Sequence, residues 1–177
     1  MLQMPPLTFG RPEEILRPVS PWFVLLTLVV GVVINLLPFS GLAVLVKPDF
    51  LAILILYWGI QEPRMMGVGT AWSLGLLMDV ADATVFGQHA LAYAVLAYAA
   101  DYFRRRVLRF PLWQQAAQVA LLLLFCAGLV VLVRIVGGAP PPRWTYFIGP
   151  LAGAFLWPLI SVILRLPQRP TGSGGER

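Results

Sequence analysis

Polar and charged positions cut this chain into six apolar blocks. The first spans residues 22–37 and stops at Pro38, with Trp22 and Phe23 placed where aromatic rings favour a membrane interface. Lys47-Pro48-Asp49 opens the second block, residues 50–60. Proline suits the first turn of a helix and aspartate suits its positive N-terminal end, so a helix is predicted to start here. The third block covers residues 65–78 and the fourth residues 88–103. The fifth covers residues 112–136 and is closed by Gly137-Gly138-Ala139-Pro140-Pro141-Pro142; the sixth covers residues 144–164. Residues 110–133 carry no charge at all, and about 20 helical residues are enough to cross a hydrocarbon core of roughly 30 Å.

The pattern predicts an all-α membrane protein, a bundle of six transmembrane helices, some of them short. The second and third blocks hold only 11 and 14 residues, about 17 and 21 Å of helix. They read as two short spans. The alternative, a re-entrant hairpin, leaves Lys47 and Arg64 unexplained. Residues 1–20, with Pro5, Pro6, Pro12, Pro18, Glu13 and Glu14, form an N-terminal arm without a convincing small-residue cleavage site. Residues 21–166 form the membrane domain, and residues 167–177, rich in Pro, Gly and Ser, are predicted to be a disordered tail.

Charge gives the orientation. Of the 13 lysines and arginines, ten fall on one side if the six blocks alternate: Arg11, Arg17, Arg64, Arg104, Arg105, Arg106, Arg109, Arg165, Arg169 and Arg177. Lys47 and Arg143 fall on the other side, with Arg134 near that end and able to snorkel toward it. Cytoplasmic loops accumulate Lys and Arg, so both termini are expected in the cytoplasm.

Composition agrees. The chain is 59% hydrophobic and 12% charged, with a mean hydropathy of +0.80, against about 25% charged in a soluble domain. Its net charge of +5 would suggest nucleic acid in a soluble protein. Here the arginines cap apolar blocks, so anionic lipid headgroups are the expected contact and nucleic acid is not. Cys126 is the one cysteine and lies inside an apolar run, which suits packing rather than reactivity.

Few residues suggest chemistry. Gly67, Ala71 and Gly75 form a smooth strip at intervals of four, with Gly69 and Ser73 beside it, and Gly149 and Gly153 repeat the pattern in the last block. Small residues let helices approach closely in lipid. The strip therefore reads as packing within the bundle, or as a face for another protein's helix. Asp79, Asp82 and His89 could form a metal site or proton relay. Caps and solvated charges at a helix end are the favoured reading, and no metal or cofactor is expected. Asn35 is nearly the only strongly polar residue in mid-span. Trp157 is followed by Pro158, which bends a span and frees a backbone carbonyl. The cluster Arg104, Arg105, Arg106 and Arg109 reads as topology signal and lipid contact, or as a dock for an acidic partner.

The order of several short segments resembles a known family. Lys47-Pro48-Asp49-Phe50 opens the second block and Leu56-Tyr57-Trp58 lies near its end. Arg64, Gly67 and Gly69 follow, then Gly75-Leu76-Leu77-Met78-Asp79 with Phe86-Gly87 next, Leu112-Trp113-Gln114-Gln115, and Leu156-Trp157-Pro158. Across roughly residues 20–166 the chain resembles the rod shape-determining MreD proteins, especially those of proteobacteria. The resemblance implies a non-enzymatic inner-membrane scaffold of the cell-wall elongation machinery. It implies MreC as the foremost partner, with MreB, RodA and a class B penicillin-binding protein in the wider complex. The family is also distantly similar to the substrate-binding subunits of energy-coupling-factor transporters, which keeps a small-molecule-binding alternative open. That alternative requires polar side chains converging on a cavity.

Overall fold

A computed structural model describes residues 19–41 and 46–168. The expectations for the N-terminal arm ahead of Val19 and for the tail beyond Gln168 lie outside the described residues. Six α-helices and no strand occur among those described. They are α1 (Pro21–Leu36), α2 (Phe50–Gln61), α3 (Val68–Ala81), α4 (Gln88–Val107), α5 (Leu112–Val136) and α6 (Ile148–Arg165). A 3₁₀ turn, Trp144–Phe147, leads into α6, and a second, Leu166–Gln168, follows it.

Local chemistry sets most of these boundaries. Pro21 stands at the start of α1. Asp49 caps α2 by accepting from the Ala52 N–H at 3.0 Å, one of the donors a helix start leaves unpaired. Gly138, at φ 81°, ends the α5 segment in a conformation that other residues adopt at a cost. Several boundaries differ from the sequence reading, α6 among them, which starts at Ile148 after the 3₁₀ turn and not at residue 144. Met65 and Met66 belong to a turn, so α3 begins at Val68 and takes in Asp79. α4 runs on to Val107, four residues past the apolar block, which places Arg104, Arg105 and Arg106 in its last turn. Arginine is a good helix former, and its charge suits the negative C-terminal end.

α5, with 25 residues, and the 25-residue helical segment Trp144–Gln168 are long and apolar enough to cross a membrane. α1, α2 and α3 are apolar but shorter, at 16, 12 and 14 residues.

The contacts define the direction of every helix. Tyr93 bonds Asp49 at the start of α2, and Arg104 bonds Gln61 at its end. α2 and α4 therefore run parallel over the same depth. α6 joins them in the same direction: Gly149 abuts Lys47, Gly153 abuts Ile53, and the Trp157 and Tyr57 rings are 6.0 Å apart. α1 runs opposite to α2, with Asn35 at Asp49, Gly31 at Leu54 and Thr27 at Trp58. α3 runs opposite to α4, and α5 opposite to α6 through Gln115–Trp157 and Leu123–Gly153. The helices thus alternate in direction along the chain. One end gathers Lys47, Asp49, Asp79, Arg134 and Arg143. The other gathers Arg64, the Arg104–Arg109 cluster and Arg165.

α2 is the axis of the bundle. From Leu51 to Ile60 only Leu54 escapes full burial. A helix apolar on all sides belongs inside the protein, and α1, α4, α5 and α6 surround it. Trp58 anchors it. Its indole N–H donates to Thr27 Oγ1 at 3.0 Å, and its ring meets Phe23 and Tyr57 edge-on at 5.9 and 5.0 Å. The outward faces remain apolar, with Trp22, Leu25, Val29, Trp72, Val80, Leu121 and Phe155 exposed.

Candidate functional site

The strip of small residues divides along its length. Ala71 and Gly75 are buried, and α4 of the same chain covers Gly75. A Cβ on Gly75 would stand 2.6 Å from the His89 carbonyl carbon. Gly67 and Gly69 meet nothing within 4 Å, so the close approach expected along the strip is absent at its N-terminal end among the described residues. The face of α3 left exposed carries Thr70, Trp72, Ser73 and Leu77, and Ser73 Oγ donates to the Gly69 carbonyl at 3.0 Å. Periodicity marked the smooth face but not which neighbour meets it.

Asp79 closes the α3–α4 hairpin. Its carboxylate accepts from the backbone N–H groups of Gly87 at 2.9 Å, His89 at 2.8 Å and Ala90 at 3.3 Å. His89 Nδ1 lies 2.9 Å from the same carboxylate and Thr84 Oγ1 lies 3.4 Å away. Asp79 is therefore the cap of α4, supplied by the preceding helix. Gly87, at φ 91°, makes the turn that aims these N–H groups back at it. Asp82 is exposed and takes no part. No group of three or more His, Cys, Asp or Glu residues comes together among the described residues.

A second polar knot escaped the sequence reading as a unit. Asp49 Oδ1 accepts from Asn35 Nδ2 at 2.7 Å and from the Ala52 N–H, while Tyr93 OH donates to Oδ2 at 2.6 Å. Asn35 Oδ1 in turn accepts from the Phe50 N–H at 3.0 Å, and Lys47 Nζ donates to the Asn35 carbonyl. Three helices and the turn before α2 are thereby tied at one level. Buried polar groups are costly unless bonded, and here each donor finds an acceptor. Asn35, alone in an apolar run, was the available signal. Asp49, its partner 14 residues further on, was legible only as a helix start, and Tyr93, which bonds Asp49, carried no signal.

Beside this knot a cavity of about 320 Å³ opens between α2, α5 and α6. Lys47, Asp49, Arg143, Thr145 and Tyr146 stand around it, and Ile53, Leu123, Cys126 and Val130 give it an apolar side. Gly149 and Gly153 let α6 approach its wall, since a Cβ on Gly149 would lie 2.6 Å from the Lys47 carbonyl oxygen. Lys47 and Asp49 direct hydrogen bonds to the protein itself.

At the arginine-rich end, Trp157 is buried and its indole N–H donates to Gln115 Oε1 at 3.3 Å. Gln115 Nε2 donates to the Phe110 carbonyl at 2.8 Å. Pro158 lies within α6, which continues through it to Arg165. Arg104 turns inward and bonds the Gln61 carbonyl at 3.2 Å, whereas Arg105, Arg106 and Arg109 are exposed. Arg134 Nε donates to the Pro140 carbonyl at 3.0 Å, fastening the turn after α5. These groupings fasten helix to helix.

Comparisons with known proteins give the chain's relatives. The family model for the rod shape-determining protein MreD matches residues 16–166, a stretch holding all six helices. The rod shape-determining protein MreD of Haemophilus influenzae is 29% identical over 156 residues, covering 86% of this chain and 95% of that relative. No solved structure matches. The family match thus covers the sequence of nearly the whole described bundle, and the chain belongs to the MreD family.

Proposed function

We propose that this chain is a non-enzymatic scaffold of the cell-wall elongation complex in the bacterial inner membrane. It maintains rod shape by linking MreC and MreB to peptidoglycan synthesis, alongside RodA and a class B penicillin-binding protein. The observation that carries this reading is the family match across the complete bundle. The fold supports it in kind, because buried Asp79 caps α4 and buried Asn35 and Gln115 tie helix to helix. Ala71, Gly75, Gly149 and Gly153 are read as helix-packing positions, with partners meeting the outward apolar faces. Both termini and the end bearing Arg64, Arg104–Arg106, Arg109 and Arg165 face the cytoplasm, in line with the alternation of the helices and the charge bias.

The test is depletion of the protein in its own bacterium, followed by microscopy and complementation. Rod-shaped cells should round up and recover rod shape when the wild-type chain is restored. Unaltered rods after full depletion would contradict the proposal.

A further inference from the structure

The cluster of arginines at the C-terminal end of α4 sits over an apolar groove, and the two form one feature. Arg105, Arg106 and Arg109, with Tyr102, Phe103 and Phe110, line an open surface cleft of about 560 Å³. A groove of about 240 Å³ adjoins it between α4 and α5, lined by Phe103, Arg106, Val107, Gln118, Leu121 and Leu122. Phe103 and Arg106 line both. Arg104 is drawn off to the Gln61 carbonyl. Arg105, Arg106 and Arg109 take part in no ion pair among the described residues, where the one such pair is His89 with Asp79. Exposed Asp101 stays unpaired among them as well.

We propose that this feature is a binding site for an anionic phospholipid. Guanidinium groups bind phosphate through paired, directional hydrogen bonds, so the cleft takes the headgroup. The groove takes the upper part of an acyl chain against Leu121 and Leu122. The aromatic rings set the depth, because tyrosine favours the level of the headgroups, and Tyr98 and Tyr102 stack at 6.4 Å on the same exposed face. A free phosphate would use the cleft alone. A lipid uses both parts, and the continuity of cleft with groove argues for it. The proposal rests on membrane insertion and not on the role in elongation.

The experiment uses the full chain, delipidated in detergent, with lipid binding read by native mass spectrometry. Phosphatidylglycerol, phosphatidylcholine, inorganic phosphate and a Glu-rich acidic peptide are the probes. Phosphatidylglycerol should bind about tenfold or more tightly than phosphatidylcholine, and inorganic phosphate at equal concentration should not displace it. R105Q/R109Q should abolish that preference. Leu121→Trp, which fills the groove from an exposed position, should weaken phosphatidylglycerol without changing phosphate binding. R143Q, at the opposite end, should bind as wild type. Equal binding of the two lipids, or unchanged preference in R105Q/R109Q, would overturn the proposal. So would full displacement by phosphate with no effect of Leu121→Trp, which would leave an anion site only. Preference for an acidic peptide over the lipid would also overturn it.

Discussion

A Cβ added to Gly75 would lie 2.5 Å from the Ala90 nitrogen, so α3 and α4 touch backbone to backbone at this level. Neither backbone can yield as a flexible side chain can. Gly75→Ala should therefore push the hairpin apart and cost about 1–3 kcal/mol. Gly69, also in α3, has open space around it. Gly69→Ala should stabilise by about 0.5–1 kcal/mol through the helix preference of alanine. Thermal unfolding of both variants in mild detergent checks the contrast. Equal melting temperatures would mean that α3 does not pack through this face.

Ala71 extends the same test toward partners. It is fully buried, so Ala71→Ile should lower thermal stability or abundance by overpacking, at about 1–3 kcal/mol. A variant that keeps its stability but loses a co-purifying partner would assign the strip to another protein's helix instead.

Asp79 holds three backbone N–H groups at the start of α4. Asp79→Ala should leave them unsatisfied at a cost of about 1–3 kcal/mol. Asp82→Ala, at an exposed position, should stay within about 0.5 kcal/mol of wild type. Treatment with a chelator should not move the melting temperature, since Asp79 works as a cap. A chelator effect lost in Asp79→Ala would indicate a metal there.

Asn35 and Tyr93 reach the two oxygens of one carboxylate. Tyr93→Phe and Asn35→Ala should each destabilise by about 1–3 kcal/mol. The double variant should depart from additivity by at least about 0.5 kcal/mol, because both act through Asp49. Strict additivity would show that the knot does not behave as one unit.

How much of this was legible in the sequence depended on what marks each feature. The bounds of α5 were readable to the residue, because Pro111 and Gly137-Gly138 punctuate an uncharged run. The end of α4 was not, because arginine interrupts an apolar pattern without interrupting a helix. Helix number and alternation followed from charge spacing. The neighbour of each face did not, since a smooth stripe fits any helix that can approach it. Asp79 was visible as a residue that matters, but its role depends on a hairpin that returns Gly87 and His89 to it. The Asn35–Asp49–Tyr93 knot joins three separate helical regions, and no local spacing encodes it. The cavity beside it depends on how α6 packs on α2, which is likewise a matter of tertiary packing.

Orientation is open to direct measurement. Reporters placed at Arg64 and near Arg109 should give cytoplasmic signals, and one near Ala83 a periplasmic signal. A periplasmic signal near Arg109 would contradict the cytoplasmic placement of the arginine-rich end.

The central claim is that this bundle serves as a scaffold within the elongation complex. The most direct test is affinity purification of the tagged full chain from its own membranes in mild detergent, with the co-purifying proteins identified. MreC should be recovered with the wild-type chain at near-stoichiometric yield. A folded, monodisperse chain that brings down neither MreC nor any other elongation protein, from cells that express them, would contradict the account.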